Sequence, residues 1–303
     1  VFPTRQSYLI SLPGGRTLAL GPRPLVMGIL NVTPDSFAEC APLVVDGIVD
    51  VDGAVDAAVR MEAAGADLVD VGGESTRPGA QPLSEDEEYA RVVPVIRALA
   101  SRLRVPISVD TYKAAVARAA LAEGAALVND ISGLHYDPAL AAVVANAGAA
   151  LILMHSRGRS NAMYDQAAYQ DLVGEVAGEL RAAAASAVSA GVPYQQLLID
   201  PGVGFAKRPA HSYGVLARLA ELASALDRPV LVGPSRKSFM RDALGERTPV
   251  ERDWGTAAAV AAAVLGGAHV VRVHAVPEMV QVVRVAEEVR LHQKVGQREE
   301  WTG

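Results

Sequence analysis

The chain is nearly devoid of cysteine. Cys40 is the only one in 303 residues, so no internal disulfide can form and nothing points to an oxidising compartment. Excess positive charge is missing as well. The 28 Lys and Arg against 34 Asp and Glu leave a formal net charge of −6, which argues against binding nucleic acid by bulk neutralisation of phosphates. Any anionic ligand must therefore be held by local cations. No apolar run can span a bilayer: the longest, Ala257 to Leu265, is far too short and is followed by Gly266-Gly267. The opening residues, Val1-Phe2-Pro3-Thr4-Arg5-Gln6-Ser7-Tyr8, lack the basic, apolar and small-residue succession of a signal peptide, so a cytoplasmic protein is expected. What remains is a chain that is half apolar and about one-fifth charged, able to bury a large core.

The apolar residues come in short runs, each ending at a polar cluster. Residues 7 to 20 read as two strands around Leu12-Pro13-Gly14-Gly15, a hairpin expected to plug or flank the core. Leu25 to Leu30 is a buried-strand run ending at Asn31. A helix is expected from about Val51 to Ala64 with Gly65 just beyond it, and Ser84 with Glu87 forms a capping box for another reaching about Leu103. Further strands end at Asp70, Asp110, Asn129, His155 and Asp200; a helix around Tyr213 to Leu226 precedes Val230 to Val232, and Arg272 with His274 closes the last strand. About eight strands alternating with helices, without a composition break, predict a (β/α)8 TIM barrel, its strands uniformly apolar because parallel strands are buried on both faces. The expected division is an N-terminal hairpin over 1–24, the barrel over 25–293 and a tail over 294–303. A doubly wound open sheet is the alternative, weakened because no Gly-x-Gly-x-x-Gly turn follows the first strand.

In such a barrel the carboxyl ends of the strands meet at one mouth, and here they carry amides, carboxylates, cations and imidazole. Asp110, Asn129 and Asp200 suit a flat heterocycle with several N–H donors on one edge, and Arg272 offers a planar cation to stack on it. Asn31, Thr76, Arg77 and His274, with a divalent ion, could gather around phosphate. In Val230 to Met240 a strand stops at Gly233-Pro234, and Ser235-Arg236-Lys237-Ser238 set two cations and two hydroxyls where a helix could begin, an anion site by the N–H groups and dipole of that end. Singly, each has a plainer reading: a solvated turn, buried carboxylates capping loops, a core histidine.

Six segments carry a family signature: Gly28-Ile29-Leu30-Asn31-Val32-Thr33-Pro34-Asp35-Ser36-Phe37, Asp70-Val71-Gly72-Gly73-Glu74-Ser75-Thr76-Arg77-Pro78-Gly79, Val128-Asn129-Asp130-Ile131-Ser132-Gly133, Asp200-Pro201-Gly202-Val203-Gly204-Phe205, Ser235-Arg236-Lys237-Ser238-Phe239 and Arg272-Val273-His274. In this order, over about residues 25 to 290, the chain resembles the dihydropteroate synthases of folate biosynthesis. The resemblance implies a sulfonamide-target transferase that condenses 6-hydroxymethyl-7,8-dihydropterin pyrophosphate with p-aminobenzoate, with Mg²⁺, as a homodimer. By the same carry-over, Asp110, Asn129, Asp200 and Lys237 would hold the pterin, with Arg272 stacked on it and Ile131, Met154 and Phe205 lining its pocket. Asn31 would ligate Mg²⁺, and Thr76, Arg77, Arg272 and His274 would surround the pyrophosphate. Phe37, Thr76, Pro78, Lys237 and Ser238 would form the p-aminobenzoate site, and Asp35 would help organise the closed site. Three departures stand out: Ala38-Glu39-Cys40-Ala41-Pro42 where the family usually reads Ser-Asp-Gly-Gly, Phe205-Ala206-Lys207-Arg208 for Phe-Gly-Lys-Thr, and Ala275 for an aspartate after the histidine. The rivals are a pterin-dependent methyltransferase, which would not need Thr76-Arg77-Pro78 or Ser235-Arg236-Lys237-Ser238, and a catalytically silent pterin-binding paralogue, favoured only if Asn31, Arg272 or His274 were missing, and all three are present.

Overall fold

The computed structural model describes residues 2–34, 43–75, 79–159 and 164–294. Eight parallel strands form the barrel: β1 (Leu25–Asn31), β2 (Leu68–Gly72), β3 (Ile107–Asp110), β4 (Leu127–Asp130), β5 (Ala150–Met154), β6 (Leu197–Asp200), β7 (Leu231–Val232) and β8 (Val270–Val273). They lie side by side from β6 back to β1, then β8 and β7, and a single parallel bridge between Ile199 and Val230 closes the ring. Outside run α1 (Val51–Ala63), α2 (Glu85–Ala100), α3 (Ala114–Ala122), α4 (Leu140–Ala147), α5 (Leu172–Ser189), α6 (Pro209–Ala217), α7 (Leu219–Leu226), the single turn α8 (Arg241–Leu244), α9 (Asp253–Leu265) and α10 (Val276–Leu291). No helix among the described residues is long and apolar enough to cross a membrane.

The strands read as unbroken apolar runs because their two faces meet different apolar partners. Successive side chains alternate across a strand. Val69, Val71, Val109, Val128, Leu151, Leu153, Ile199, Val271 and Val273 face the helices, in one core with the inner sides of α1 to α7, α9 and α10. The other parity points into the barrel. At its amino end Leu25, Met27, Leu68, Leu127, Ile152, Leu198, Leu231 and Val270 form a second, separate cluster with Ile10, Leu12, Leu18 and Leu20 of the N-terminal hairpin (Tyr8–Ser11 paired with Thr17–Leu20). The hairpin therefore plugs the barrel floor. Ile10 and Leu20 are wholly buried there, worth roughly 1.5–3 kcal/mol each by burial of apolar surface.

Helix ends obey the expected chemistry where side chains cap them. The Ser84 hydroxyl accepts from the Glu87 N–H at 3.2 Å, and the Glu87 carboxylate accepts from the Ser84 N–H at 3.0 Å. The helix that this box opens stops at Ala100, short of Leu103. The single helix expected around Tyr213 to Leu226 is two: it starts earlier, with Pro209 as first residue, and breaks at Arg218.

Candidate active site

The inward parity that is apolar at the floor turns polar at the mouth. Asn31, Gly72, Asp110 and Asn129 stand side by side in register on β1 to β4. Across the barrel Asp200 ends β6, opposite Met154 of β5, and Arg272 lies on β8 beside Met27 of β1. The mouth holds a cavity of about 460 Å³. Every described residue with an expected role lines it: Asn31, Asp110, Asn129, Ile131, Met154, Asp200, Phe205, Lys237, Ser238, Arg272 and His274. Asp35, Phe37, Thr76, Arg77 and Pro78 lie outside the described residues.

A buried charge cluster crosses the cavity floor. Arg272 donates from Nε to the Asp70 carboxylate at 2.5 Å and from Nη2 to Asp110 at 2.6 Å, and the Asn129 amide donates to the same Asp70 oxygen at 2.9 Å. Asp70, an expected strand-end residue without an assigned role, thus anchors both Arg272 and Asn129. Burial drives the Asp110 carboxyl up to about 7, against the pull of Arg272 and with the push of Asp70. Burial raises Asp200 as well, opposed first by Lys237 and then by the Gly202 N–H, which donates to it at 2.7 Å.

Lys237 is the cation of the opposite wall. Its Nζ donates to the Val203 carbonyl at 2.6 Å and sits 4.4 Å from the centre of the Phe205 ring. Burial brings its pKa down to about 8, with Asp200 as the main opposing influence. The chain beyond Lys237 forms only a 3-10 turn, Ser238–Met240, running into the one-turn α8. The helical segment expected to begin here is therefore short, and Lys237 itself supplies the positive charge. Nearer the rim, Ser235 Oγ accepts from the His274 backbone N–H at 3.2 Å and lies 2.9 Å from its Nδ1. The His274 Nε2 lies 3.4 Å from the Asn31 side-chain amide nitrogen.

Local turns aim the apolar walls. Asp130 accepts from the Ser132 N–H at 2.8 Å and the Leu134 N–H at 2.6 Å, and this carboxylate-capped turn presents Ile131 to the cavity, where it packs with Met154, Phe205 and Tyr112. Glu74, also on the cavity wall, accepts from the Leu83 N–H at 2.9 Å, the Tyr112 hydroxyl at 2.9 Å and Lys113 Nζ at 2.6 Å, fixing both flanks of the loop after β2. Ala206 holds φ +47, the left-handed region that glycine tolerates and alanine enters at a cost of about 1–2 kcal/mol. His155, expected among the mouth residues, points the other way, toward Glu179 of α5.

Fold and cavity together define a (β/α)8-barrel enzyme with a deep ligand cavity at the carboxyl ends of its strands. The family described as pterin binding enzyme matches residues 27–274. A dihydropteroate synthase of Synechocystis is 45% identical over 277 residues, covering 91% of this chain and 94% of the relative. A Yersinia pestis dihydropteroate synthase, solved as a sulfonamide drug complex, superposes with a TM-score of 0.86 at 42% identity, covering 93% of this chain and 99% of its own. The Xanthomonas albilineans dihydropteroate synthase, solved with 4-aminobenzoic acid, gives 0.84 at 41% identity, covering 94% and 99%. The chain belongs to the pterin binding enzymes and, within them, to the dihydropteroate synthases.

Proposed function

We propose that the chain condenses 6-hydroxymethyl-7,8-dihydropterin pyrophosphate with p-aminobenzoate, releasing pyrophosphate and forming 7,8-dihydropteroate. The observation that carries this is one cavity in which Asp110 and the buried Asn129 and Asp200 stand with Lys237 and Arg272. Carboxylates and an amide suit the N–H-rich edge of a pterin; Ile131, Met154 and Phe205 supply its apolar walls. Ser238 and Lys237 meet the benzoate carboxylate, while Asn31, His274 and Arg272 face the diphosphate, with Thr76 and Arg77 of the second loop. Phe37 and Pro78 border the arylamine, and Asp35 helps close the site.

The arylamine is a weak nucleophile but is neutral at pH 7, so it needs no strong base. The barrier lies in the departing diphosphate. Its bond to the methylene carbon breaks with the electron pair leaving on oxygen, the amine nitrogen bonds to that carbon, and the amine proton passes to solvent. The carboxylates of Asp110 and Asp200 stabilise positive charge spreading into the ring, and the Arg272 and His274 N–H groups take up charge on the diphosphate. Mg²⁺ would be held through the Asn31 amide oxygen on the cavity wall together with the substrate's phosphate oxygens. Bound with the diphosphate it would add positive charge to the leaving group. A cytoplasmic homodimer completes the proposal, supported by Trp254 of α9, 89% exposed, and Val285 of α10, 65% exposed, on the adjoining outer helices.

Purified protein incubated with dihydropterin pyrophosphate, labelled p-aminobenzoate and Mg²⁺ should yield labelled dihydropteroate; a folded protein that makes none would instead be the silent paralogue. Two shifted groups set the pH profile. Asp110 must be ionised to accept N–H donors and gains charge as pH rises through about 7, whereas Lys237 loses its charge above about 8. The pterin kcat/KM should therefore be a narrow bell between those limbs. A profile flat from pH 6 to 9 would refute the assignment.

A further inference from the structure

A second lysine lies behind the cavity wall, unused by the reaction above. Lys207 is fully buried, with 0% exposure. Its Nζ donates to the Phe205 carbonyl at 3.2 Å and lies 2.7 Å from His155 Nδ1; His155 Nε2 is 3.0 Å from the Glu179 carboxylate of α5. Burial pushes the His155 pKa down to about 4, so at neutral pH the ring is uncharged, its Nε2–H donating to Glu179 and its Nδ1 accepting from Lys207. Arg157 fixes the far end, its Nε donating to Glu179 at 3.1 Å. A continuous chain of hydrogen bonds thus runs from the outer helix to the back of the turn after β6.

That turn, Asp200 to Phe205, is held from both sides. Lys237 takes the Val203 carbonyl from the cavity, and Lys207 takes the Phe205 carbonyl from behind. The packing between them is tight: Gly202 has φ +68, and a Cβ there would lie 1.9 Å from the His155 carbonyl oxygen and 3.4 Å from Lys207 Nζ. Ala206, in its left-handed conformation, strains the same turn, and the Tyr169 hydroxyl donates to its carbonyl at 2.9 Å. The charges facing Lys207 are mixed. Asp200 and Glu179 favour its ammonium form, while burial first, then Lys237 and Arg157, oppose it.

We propose that Lys207 is a positioning residue for the pterin half of the cavity: tied through His155 and Glu179 to α5, it holds the Asp200–Phe205 turn where the Asp200 carboxylate and the Phe205 ring meet the heterocycle. This rests on the assignment of the pterin to the Asp200 side. On the arylamine side Ser238 makes no hydrogen bond to Lys207 among the described residues, and Lys237 reaches the turn at Val203 and not at Lys207, so the pterin should respond more strongly than the arylamine.

Lys207→Met keeps the length and fill of the side chain and removes the donor. Equilibrium binding of dihydropterin pyrophosphate without arylamine should weaken about tenfold, the loss expected for one network of hydrogen bonds, while the p-aminobenzoate KM stays within about twofold. Unchanged pterin affinity in the folded variant, or equal losses for both substrates, overturns the proposal. Should Lys207→Met not fold, Glu179→Ala tests the far end of the chain, since that side chain is 38% exposed and the helix accepts alanine. Pterin affinity should then fall about threefold with the arylamine unaffected, and no change, or a change in both, counts against the proposal. Asp200→Asn separates the underlying assignment: if it leaves pterin affinity intact, the pterin lies elsewhere; if it weakens binding and Lys207→Met does not, the positioning role alone is lost.

Discussion

An Arg272→Met enzyme should be both nearly inactive and less stable by roughly 3–5 kcal/mol, the cost of removing one partner from a buried ion cluster. The guanidinium donates to Asp70 at 2.5 Å and Asp110 at 2.6 Å; Asp70 is wholly buried, and the Asp110 side chain is 11% exposed. Without Arg272, Asp70 keeps the Asn129 amide while Asp110 loses its guanidinium donor, and the two carboxylates face each other. Burial already holds Asp110 at about 7, and losing the cation moves it further up. A carboxyl raised in the folded state contributes stability below its unfolded pKa and loses it as pH rises through the folded value. The variant should therefore sit closest to wild type at pH 6 and fall away toward pH 8, as read by denaturant unfolding at each pH. A deficit that grows on acidification would contradict the cluster. Activity should drop about 10³-fold or more in kcat/KM, because the same loss displaces Asp110 and Asn129 and removes the donor proposed for the diphosphate. Arg272→Lys should rescue little, since an ammonium cannot bridge two carboxylates as a planar fork does.

Much of the barrel was legible because its signals are local. The capping box at Ser84, the glycine after α1 and the run of short apolar strands each arise from backbone chemistry within a few residues. The small hairpin Val44–Val45 with Ile48–Val49 was not among the expected elements although its signal is equally local: Asp46-Gly47 between apolar pairs is a strong two-residue turn signal, and both residues take positive φ. The break at Arg218 between α6 and α7 was not legible, for no glycine or proline marks it.

At the mouth, the residues that end strands could be read from the chain; the direction of each side chain could not. His155 shows the difference. Ala150, Ile152 and Met154 share the inward parity of β5, so the next residue faces the helices, and counting in twos from Met154 would have moved His155 out of the cavity. The same counting puts Asp70 inside with Asp110 and Arg272, but the ion cluster depends on three strands meeting across the barrel, which no spacing along the chain encodes. Lys207 is the hardest case. A lysine after a glycine-rich turn reads as solvated, and only the tertiary fold buries it against His155.

Lys237→Ala should weaken both substrates, with kcat/KM falling about 10²–10³-fold for each, as for loss of a buried electrostatic group that contacts the reacting ligands. Lys237 lines the cavity between Asp200 and Ser238, and its Nζ makes the 2.6 Å bond to Val203 and lies over the Phe205 ring. Removing it acts on the pterin side by leaving the Val203 carbonyl without that donor and by taking from Asp200 the strongest influence that favours its ionised form. On the arylamine side it removes the cation beside Ser238 proposed above to meet the benzoate carboxylate. Steady-state kinetics with each substrate varied in turn would read both effects. A rise confined to one KM would place Lys237 in a single subsite and break the link between the two halves of the mouth. Lys237→Arg should not restore activity, because a longer planar guanidinium cannot put a single donor where Nζ meets the Val203 carbonyl at 2.6 Å.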